Sequence, residues 1–391
     1  MPKFLMYGAG SVGRGFIGPL FAHAGYEVAF VDINPDIVRA LNERRGYHYT
    51  IVAETPVYVP VSGVRGVDGL DETAVVGEIA ACDMMATALG ASVLQKVAPL
   101  IARGFSARMR QSGRPLNILI CENLKGAAHH LRGWLEAALP EGDRALLAQK
   151  CGLIETAIGR MIPVAAPNTE DPLNVMVEEY GLLPVDRDAF VGAPPDVANL
   201  IPYAPFAFFE ERKLYMHNMG HAICGYLGAG RGYATIAEAI ADPHVRLFTQ
   251  SAMTESAAML SAKYAVPFGG VFDHAEDLLL RFGNAALGDT CERVCRDPMR
   301  KLAAGDRLAG AMRECRAHGI FPVYIELGYA AALRYVTDNA GEAEAIARDT
   351  GGLDGEHTAL VMDLFAAIER PMPELLLLAE KVKKGMRGSI V

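Results

Sequence analysis

Two kinds of apolar spacing divide the chain. Over the first 180 or so residues, apolar side chains cluster in short runs at 3–7, 27–31, 82–88 and 116–121, which predict strands. Helical spacing over 16–24, 35–45 and 93–103, and again from Leu124 onward, predicts helices alternating with them. Residues 47–61 read as two short strands split by Thr55-Pro56, and 153–164 and 173–177 are also strand-like. This alternation predicts a doubly wound α/β sheet. Prolines 184, 194, 195, 202 and 205 then crowd the stretch 181–206. A domain boundary is expected there, giving domains 1–195 and 196–391. Beyond it, 207–229, 233–241, 243–263, 273–282, 298–317, 322–336, 340–348, 356–368 and 373–385 all read as helices.

The first strand runs into Gly8-Ala9-Gly10-Ser11-Val12-Gly13, a G-x-G-x-x-G between strand and helix. Gly8 allows the tight turn, Gly10 lets backbone approach a pyrophosphate, and Gly13 permits close helix–strand packing. The second strand ends in Asp32, placed to accept hydrogen bonds from an adenosine ribose. A glycine-rich turn alone is weak, but strand, helix, second strand and terminal acid stand in register. They predict a Rossmann-type dinucleotide domain followed by a mostly α-helical substrate domain. Ile33-Asn34-Pro35 follow Asp32, so no arginine stands by to accept an extra phosphate, and NAD is the expected cofactor. Gly90 and Asn123 fall at the carboxyl ends of later strands, where ligands gather in such sheets. Asn123 reads equally well as the N-cap of the helix after it.

Composition narrows the class. At 391 residues, 51% hydrophobic and 21% charged, the chain is a globular protein with room for two cores. The net charge of −9 and the absence of a long basic run argue against nucleic acid or an anionic membrane as partner. The amino terminus enters a strand directly, without a signal-peptide pattern, so a cytoplasmic location is expected. The seven cysteines show no Cys-x-x-Cys pair and read as core residues, and no set of metal ligands is apparent.

The stretch 210–221 holds Lys213, Asn218 and His221. These are groups suited to moving a proton to and from an alcohol: a desolvated lysine as base, an amide to steady an alkoxide, an imidazole to relay. Lys213 and Asn218 would stand roughly 140° apart round an α-helix, whereas Asn218 and His221 share a face. The three converge only where the segment bends. Taken alone, a solvated surface helix would carry the same residues. Farther on, Arg293, Arg296, Arg300, Lys301 and Arg307 concentrate basic charge in an acidic chain. On a helix from 298 to 308, Arg300 and Arg307 would fall near one face and could address one anion. Glu292, Asp297 and Asp306 lie near enough to pair with them instead.

Taken together, these pieces resemble the long-chain polyol dehydrogenase family over nearly the whole chain. The resemblance rests on the opening Gly-Ala-Gly-Ser-Val-Gly-Arg-Gly-Phe-Ile-Gly, on Cys121-Glu122-Asn123, and on Lys213, Asn218 and Gly220-His221-Ala222. It rests also on Arg281-Phe282 with Asn284, on Arg293, and on 297–302 and 305–308. It implies a metal-independent enzyme with Lys213 as general acid/base, Asn123 and Asn218 as donors to the reacting oxygen, and His221 in support. It implies polyol contacts from Arg293 and Lys301, with Arg300 and Arg307 belonging to the phosphate-substrate branch. The partner is then a small polyol or sugar phosphate, and the enzyme a monomer or small homo-oligomer. Gly159 stands where the family usually has an acid, Ala285 where proline is usual, and Tyr215-Met216-His217 replace smaller or apolar residues. An unphosphorylated polyol dehydrogenase, a hexuronate reductase and a non-catalytic NAD sensor remain open alternatives.

Overall fold

The structure, a computed structural model, describes residues 1–163 and 171–388. It falls into two compact units, Met1–Ala207 and Phe208–Val391.

The N-terminal unit is built on β1 (Lys3–Tyr7), β2 (Glu27–Asp32), β3 (Gly46–Ile51), β4 (Val57–Ser62), β5 (Val64–Asp68), β6 (Met84–Thr87), β7 (Leu116–Ile120) and β8 (Cys151–Glu155). Six of these form one parallel sheet in the order β5-β2-β1-β6-β7-β8, the doubly wound order with its reversal between β1 and β6. Successive side chains of a strand point to opposite faces. In β1, Phe4 and Met6 enter one core while Leu5 and Tyr7 enter another. Val28 and Phe30 of β2 likewise oppose Ala29 and Val31. Burial on both faces is why these strands read as unbroken apolar runs. Helices α1 (Gly18–His23), α2 (Pro35–Arg44), α3 (Glu72–Ala81), α4 (Ala91–Gln111), α5 (Ala127–Ala138) and α6 (Glu141–Lys150) complete the framework.

Three expectations change here. β5, Val-Arg-Gly-Val-Asp, is a sheet strand that its mixed composition hides, and its register comes from pairing with β2. The strand expected over 153–164 is shorter: β8 ends at Glu155 and the chain turns away as Thr156 bridges Val185; Val164 itself lies outside the described residues. The helix after Asn123 begins only at Ala127, with Gly126 (φ 65°) in the N-cap position, so Asn123 caps nothing.

The C-terminal unit is helical. The expected helix over 207–229 is three pieces: α7 (Ala207–Arg212), a π-helical turn at Lys213–Asn218, and α8 (Met219–Ala229). Next come α9 (Ile236–Ala241), α10 (Pro243–Tyr264), α11 (Phe268–Phe282) and α12 (Cys291–Cys295). The helix expected over 298–317 is divided into α13 (Pro298–Leu302) and α14 (Ala309–Ala317), since the chain turns through Gly305-Asp306. α15 (Val323–Val336), α16 (Ala340–Ala345), α17 (Gly355–Ala367) and α18 (Met372–Gly388) close the unit. Among the described residues no helix is long and apolar enough to cross a membrane. All seven cysteines are buried thiols.

α8 is the hub of this unit, buried along almost its whole length. Neighbours approach its backbone closely because small residues face them. A Cβ on Gly220 would fall 2.6 Å from Met253 Sδ, and one on Gly328 of α15 would fall 2.3 Å from Ile223 Cγ1. Gly328→Ala therefore forces α15 away from α8. A loss of about 1–3 kcal/mol is expected, read as a lower thermal midpoint and a parallel loss of whatever activity depends on α8.

Candidate active site

At the end of β1 the glycine loop takes up the geometry expected of a pyrophosphate cradle. Gly8 has φ 109°, and a Cβ there would meet Ala88 O at 2.4 Å, so the loops leaving β1 and β6 touch at the sheet's reversal point. A Cβ on Gly13 would lie 2.1 Å from Gly8 O, whereas one on Gly10 would meet nothing within 4 Å. Gly8 and Gly13 thus close the turn on itself, and Gly10 presents bare backbone to open space, as a phosphate group needs. Asp32 ends β2 half-buried: its Oδ2 accepts from the Ala9 amide at 2.8 Å and its Oδ1 from the Asn34 amide at 2.9 Å. The carboxylate is fixed to the loop and keeps lone pairs for ribose hydroxyls. Arg14 braces the loop from within, donating from Nε to Ala9 O at 2.6 Å, while Tyr47 OH donates to Arg14 O at 2.7 Å. These residues fit a dinucleotide carrying a free ribose.

Glu122, the middle residue of Cys121-Glu122-Asn123, is a buried carboxylate. It accepts from the Leu89 amide at 2.9 Å and the Gly90 amide at 2.8 Å, tying the end of β7 to the loop after β6. The Gly90 N–H is therefore committed, and Gly90 (φ 87°) offers only close backbone approach. Asn123 itself is exposed in the bend between Glu122 and the start of α5. Gly159, where the resemblance leads one to expect an acid, faces a ring: a Cβ there would meet Tyr180 Cε1 at 3.2 Å.

In the C-terminal unit the π-turn resolves the problem of the Lys213–Asn218 spacing. A π-turn bonds residue i to i+5, so residues five apart stack one above the other as i and i+4 do in an α-helix. Lys213 opens that turn and Asn218 closes it, and both are half-buried. His221 follows three residues later in α8, on the face of Asn218. The bend that the sequence demanded is one widened helical turn.

Around it sits a cluster of imidazoles and acids. His221 Nε2 lies 2.8 Å from Asp289 Oδ2, and its ring stacks on Phe282 with centroids 5.0 Å apart and planes at 24°. Asp289 is grasped on its other oxygen by Arg293, with Nη2 at 2.6 Å and Nε at 2.8 Å. Burial pushes the Asp289 carboxyl up, but the hydrogen bonds and charges of His221 and Arg293 outweigh it and hold it below the usual range. His217 is buried, not exposed, its ring 6.4 Å from that of His221. Burial pushes its pKa well below the ordinary value, and the charges of Arg281, His221, His274 and Lys213 add to this. His274 is pushed down to about 3 by burial and by Arg212 and Arg281. Both rings are thereby biased toward the neutral form. Asp289 escaped notice because it lies sixty-eight residues from His221 in sequence.

The basic residues farther on divide by role. Arg293 holds Asp289. Lys301 is buried and donates to the carbonyls of Val294 and Arg296, satisfying the end of α12, and burial together with Arg307 and Arg300 lowers its pKa to about 8. Arg300 and Arg307 do converge, but on Asp306: Arg300 Nη1 is 3.3 Å and Arg307 Nε 2.8 Å from its carboxylate. The seven-residue helical spacing expected for them does not occur, since Arg307 lies in the turn between α13 and α14. Among the described residues no three His, Cys, Asp or Glu side chains gather as a metal site.

Family profiles match the two units of the chain in turn. The Mannitol dehydrogenase Rossmann domain profile matches residues 2–199, and the Mannitol dehydrogenase C-terminal domain profile matches 206–369. Among solved structures, a D-sorbitol dehydrogenase in substrate-free form shares 15% identity, with a TM-score of 0.78 over 94% of this chain and 93% of that one. Pseudomonas fluorescens mannitol 2-dehydrogenase, in a ternary complex with NAD and D-mannitol, shares 14%, with a TM-score of 0.71 over 98% and 94%. At these identities the two structures speak for the fold alone. With both domain profiles matched in order across most of its length, the chain belongs to the mannitol dehydrogenase family.

Proposed function

We propose that this protein is an NAD-dependent dehydrogenase that reversibly oxidises a hexitol 1-phosphate, mannitol 1-phosphate, to fructose 6-phosphate, the reaction of a mannitol-1-phosphate 5-dehydrogenase. The observation that carries the reading is the π-turn that stacks Lys213 on Asn218 beside His221. Bound NAD supplies the acceptor for the hydride. Lys213, as the neutral amine, takes the alcohol proton, and as the ammonium returns it to the ketone. Asn218 donates to the oxygen as charge develops on it. The role of Asn123 as a further donor, and of Arg293 and Lys301 toward the polyol, rests on the family resemblance. Lys213→Ala is expected to lower kcat by about 10² or more with NAD affinity nearly unchanged, measured by steady-state kinetics and cofactor titration. A variant retaining most of its turnover would remove Lys213 from the chemistry.

The cofactor is NAD, its preference supported by Asp32, whose carboxylate would face the additional phosphate of NADP. Asp32→Asn keeps an oxygen for the Ala9 amide but loses the charge. The ratio of kcat/KM for NAD over NADP is expected to fall by at least about tenfold. A wild type that prefers NADP would overturn this reading of Asp32.

For the phosphate, support comes from Arg300 and Arg307 meeting at one point with Lys301 between them in sequence. The same geometry favours a second reading, an unphosphorylated polyol or a hexuronate such as tagaturonate or fructuronate. Asp306 already gives both guanidiniums an anion. Kinetics separate the two. Arg300→Ala and Arg307→Ala should each raise KM for fructose 6-phosphate about tenfold to a hundredfold and leave that for fructose nearly unchanged. Equal effects on both sugars, or a wild type that prefers fructose or tagaturonate, select the second reading.

A further inference from the structure

We propose that Asp289 is a positioning residue that fixes which nitrogen of His221 is free to take up the proton leaving Lys213. This rests on the dehydrogenase reading above and adds a member that neither the glycine loop nor the Lys213–His221 stretch contains.

The geometry restricts His221 severely. Its Nε2 faces a carboxylate oxygen of Asp289 at 2.8 Å. An ionised carboxylate only accepts, so Nε2 must carry the hydrogen, and the neutral ring is left with its lone pair on Nδ1. Nδ1 makes no hydrogen bond among the described residues. Phe282 of α11 lies flat against the ring and fixes its plane. The groups facing His221 are then Asp289, Phe282 and His217, with Lys213 and Arg281 contributing positive charge to the same cluster.

Asp289 is itself held rigidly. Arg293 takes its Oδ1 through two nitrogens, and its backbone carbonyl accepts from the Ile236 amide at 2.9 Å. Thr290, next in sequence, caps α12 by accepting from the Arg293 amide at 3.2 Å and bridges Thr235. The start of α12 thus holds acid and arginine in one register. Only 11% of the Asp289 side chain surface is exposed.

In oxidation, the carbinol C–H pair departs as hydride to the bound NAD while the O–H proton passes to the neutral Lys213 Nζ. One ammonium proton then passes to His221 Nδ1, giving an imidazolium with protons on both nitrogens, and from there to solvent water. Asp289 remains an anion and stabilises that imidazolium without being protonated, as an orienting acid does. His217 does not compete for the proton, being buried among positive charges. Reduction runs the same steps backward.

The test uses the full-length protein labelled with ¹⁵N-histidine, with His221→Gln to assign the resonance, alongside kinetics with NADH and fructose 6-phosphate or fructose, whichever is turned over. Wild type should show Nε2 protonated and Nδ1 bare. Asp289→Asn keeps an oxygen for Arg293 but turns an amide donor toward His221, so the tautomer should swap. Its kcat should fall about tenfold to a hundredfold, the pH dependence of kcat should shift, and KM should move less than about threefold. Asp289→Glu should recover part of the loss. An unchanged tautomer, or an Asp289→Asn enzyme with wild-type kcat and pH profile, overturns the assignment of Asp289 alone. A wild type that turns over no polyol or keto sugar overturns the dehydrogenase reading and the relay with it, even where the tautomer behaves as expected.

Discussion

The alignment of Lys213 with Asn218 depends on one change of hydrogen-bond register. In an α-helix the backbone bonds i to i+4, and Lys213 and Asn218 would look in different directions. At Lys213–Asn218 the ladder steps to i+5 and the two residues fall in line. Such a turn loses close axial packing, so it persists where surrounding contacts hold it. Here Tyr215 and Met216 are buried on its inner side and α8, packed on small residues, anchors its end.

Carboxylates recur as internal braces. Asp32 holds the Ala9 and Asn34 amides, Glu122 holds the Leu89 and Gly90 amides, and Asp289 holds His221 and Arg293. In each case the acid ties its own segment to one at least 23 residues away in sequence. Loops at the carboxyl ends of strands have no ladder of their own to fix them. A charged acceptor taking two amides supplies that rigidity with stronger bonds than a neutral one.

How much of this was legible in the sequence follows from the range of each interaction. The glycine loop, β1, β2 and Asp32 were legible because their signals lie within thirty residues and follow local backbone rules. β5 was hidden: Val-Arg-Gly-Val-Asp has no period of its own and becomes a strand by pairing with β2. The widened turn was legible only as a conflict, since Lys213, Asn218 and His221 could not face one way on a regular helix. Asp289 was missed because it sits in no motif, and Glu122, although part of Cys121-Glu122-Asn123, had no role assigned; what defines each is a partner brought near by tertiary packing. Arg300 and Arg307 do come together, but a turn, not helical spacing, brings them, and they meet on Asp306.

Asp306 also alters how that basic cluster meets its surroundings. Two guanidiniums sharing one fixed carboxylate carry a resident counterion, so the cluster is not an open trap for whatever small anion is abundant. An incoming group must exchange with a partner that is covalently tethered and therefore present at very high effective concentration. Chloride would gain little by such an exchange. On the phosphate reading proposed above, a dianion that binds both forks at once would gain more, and the cluster would set a threshold on charge and shape.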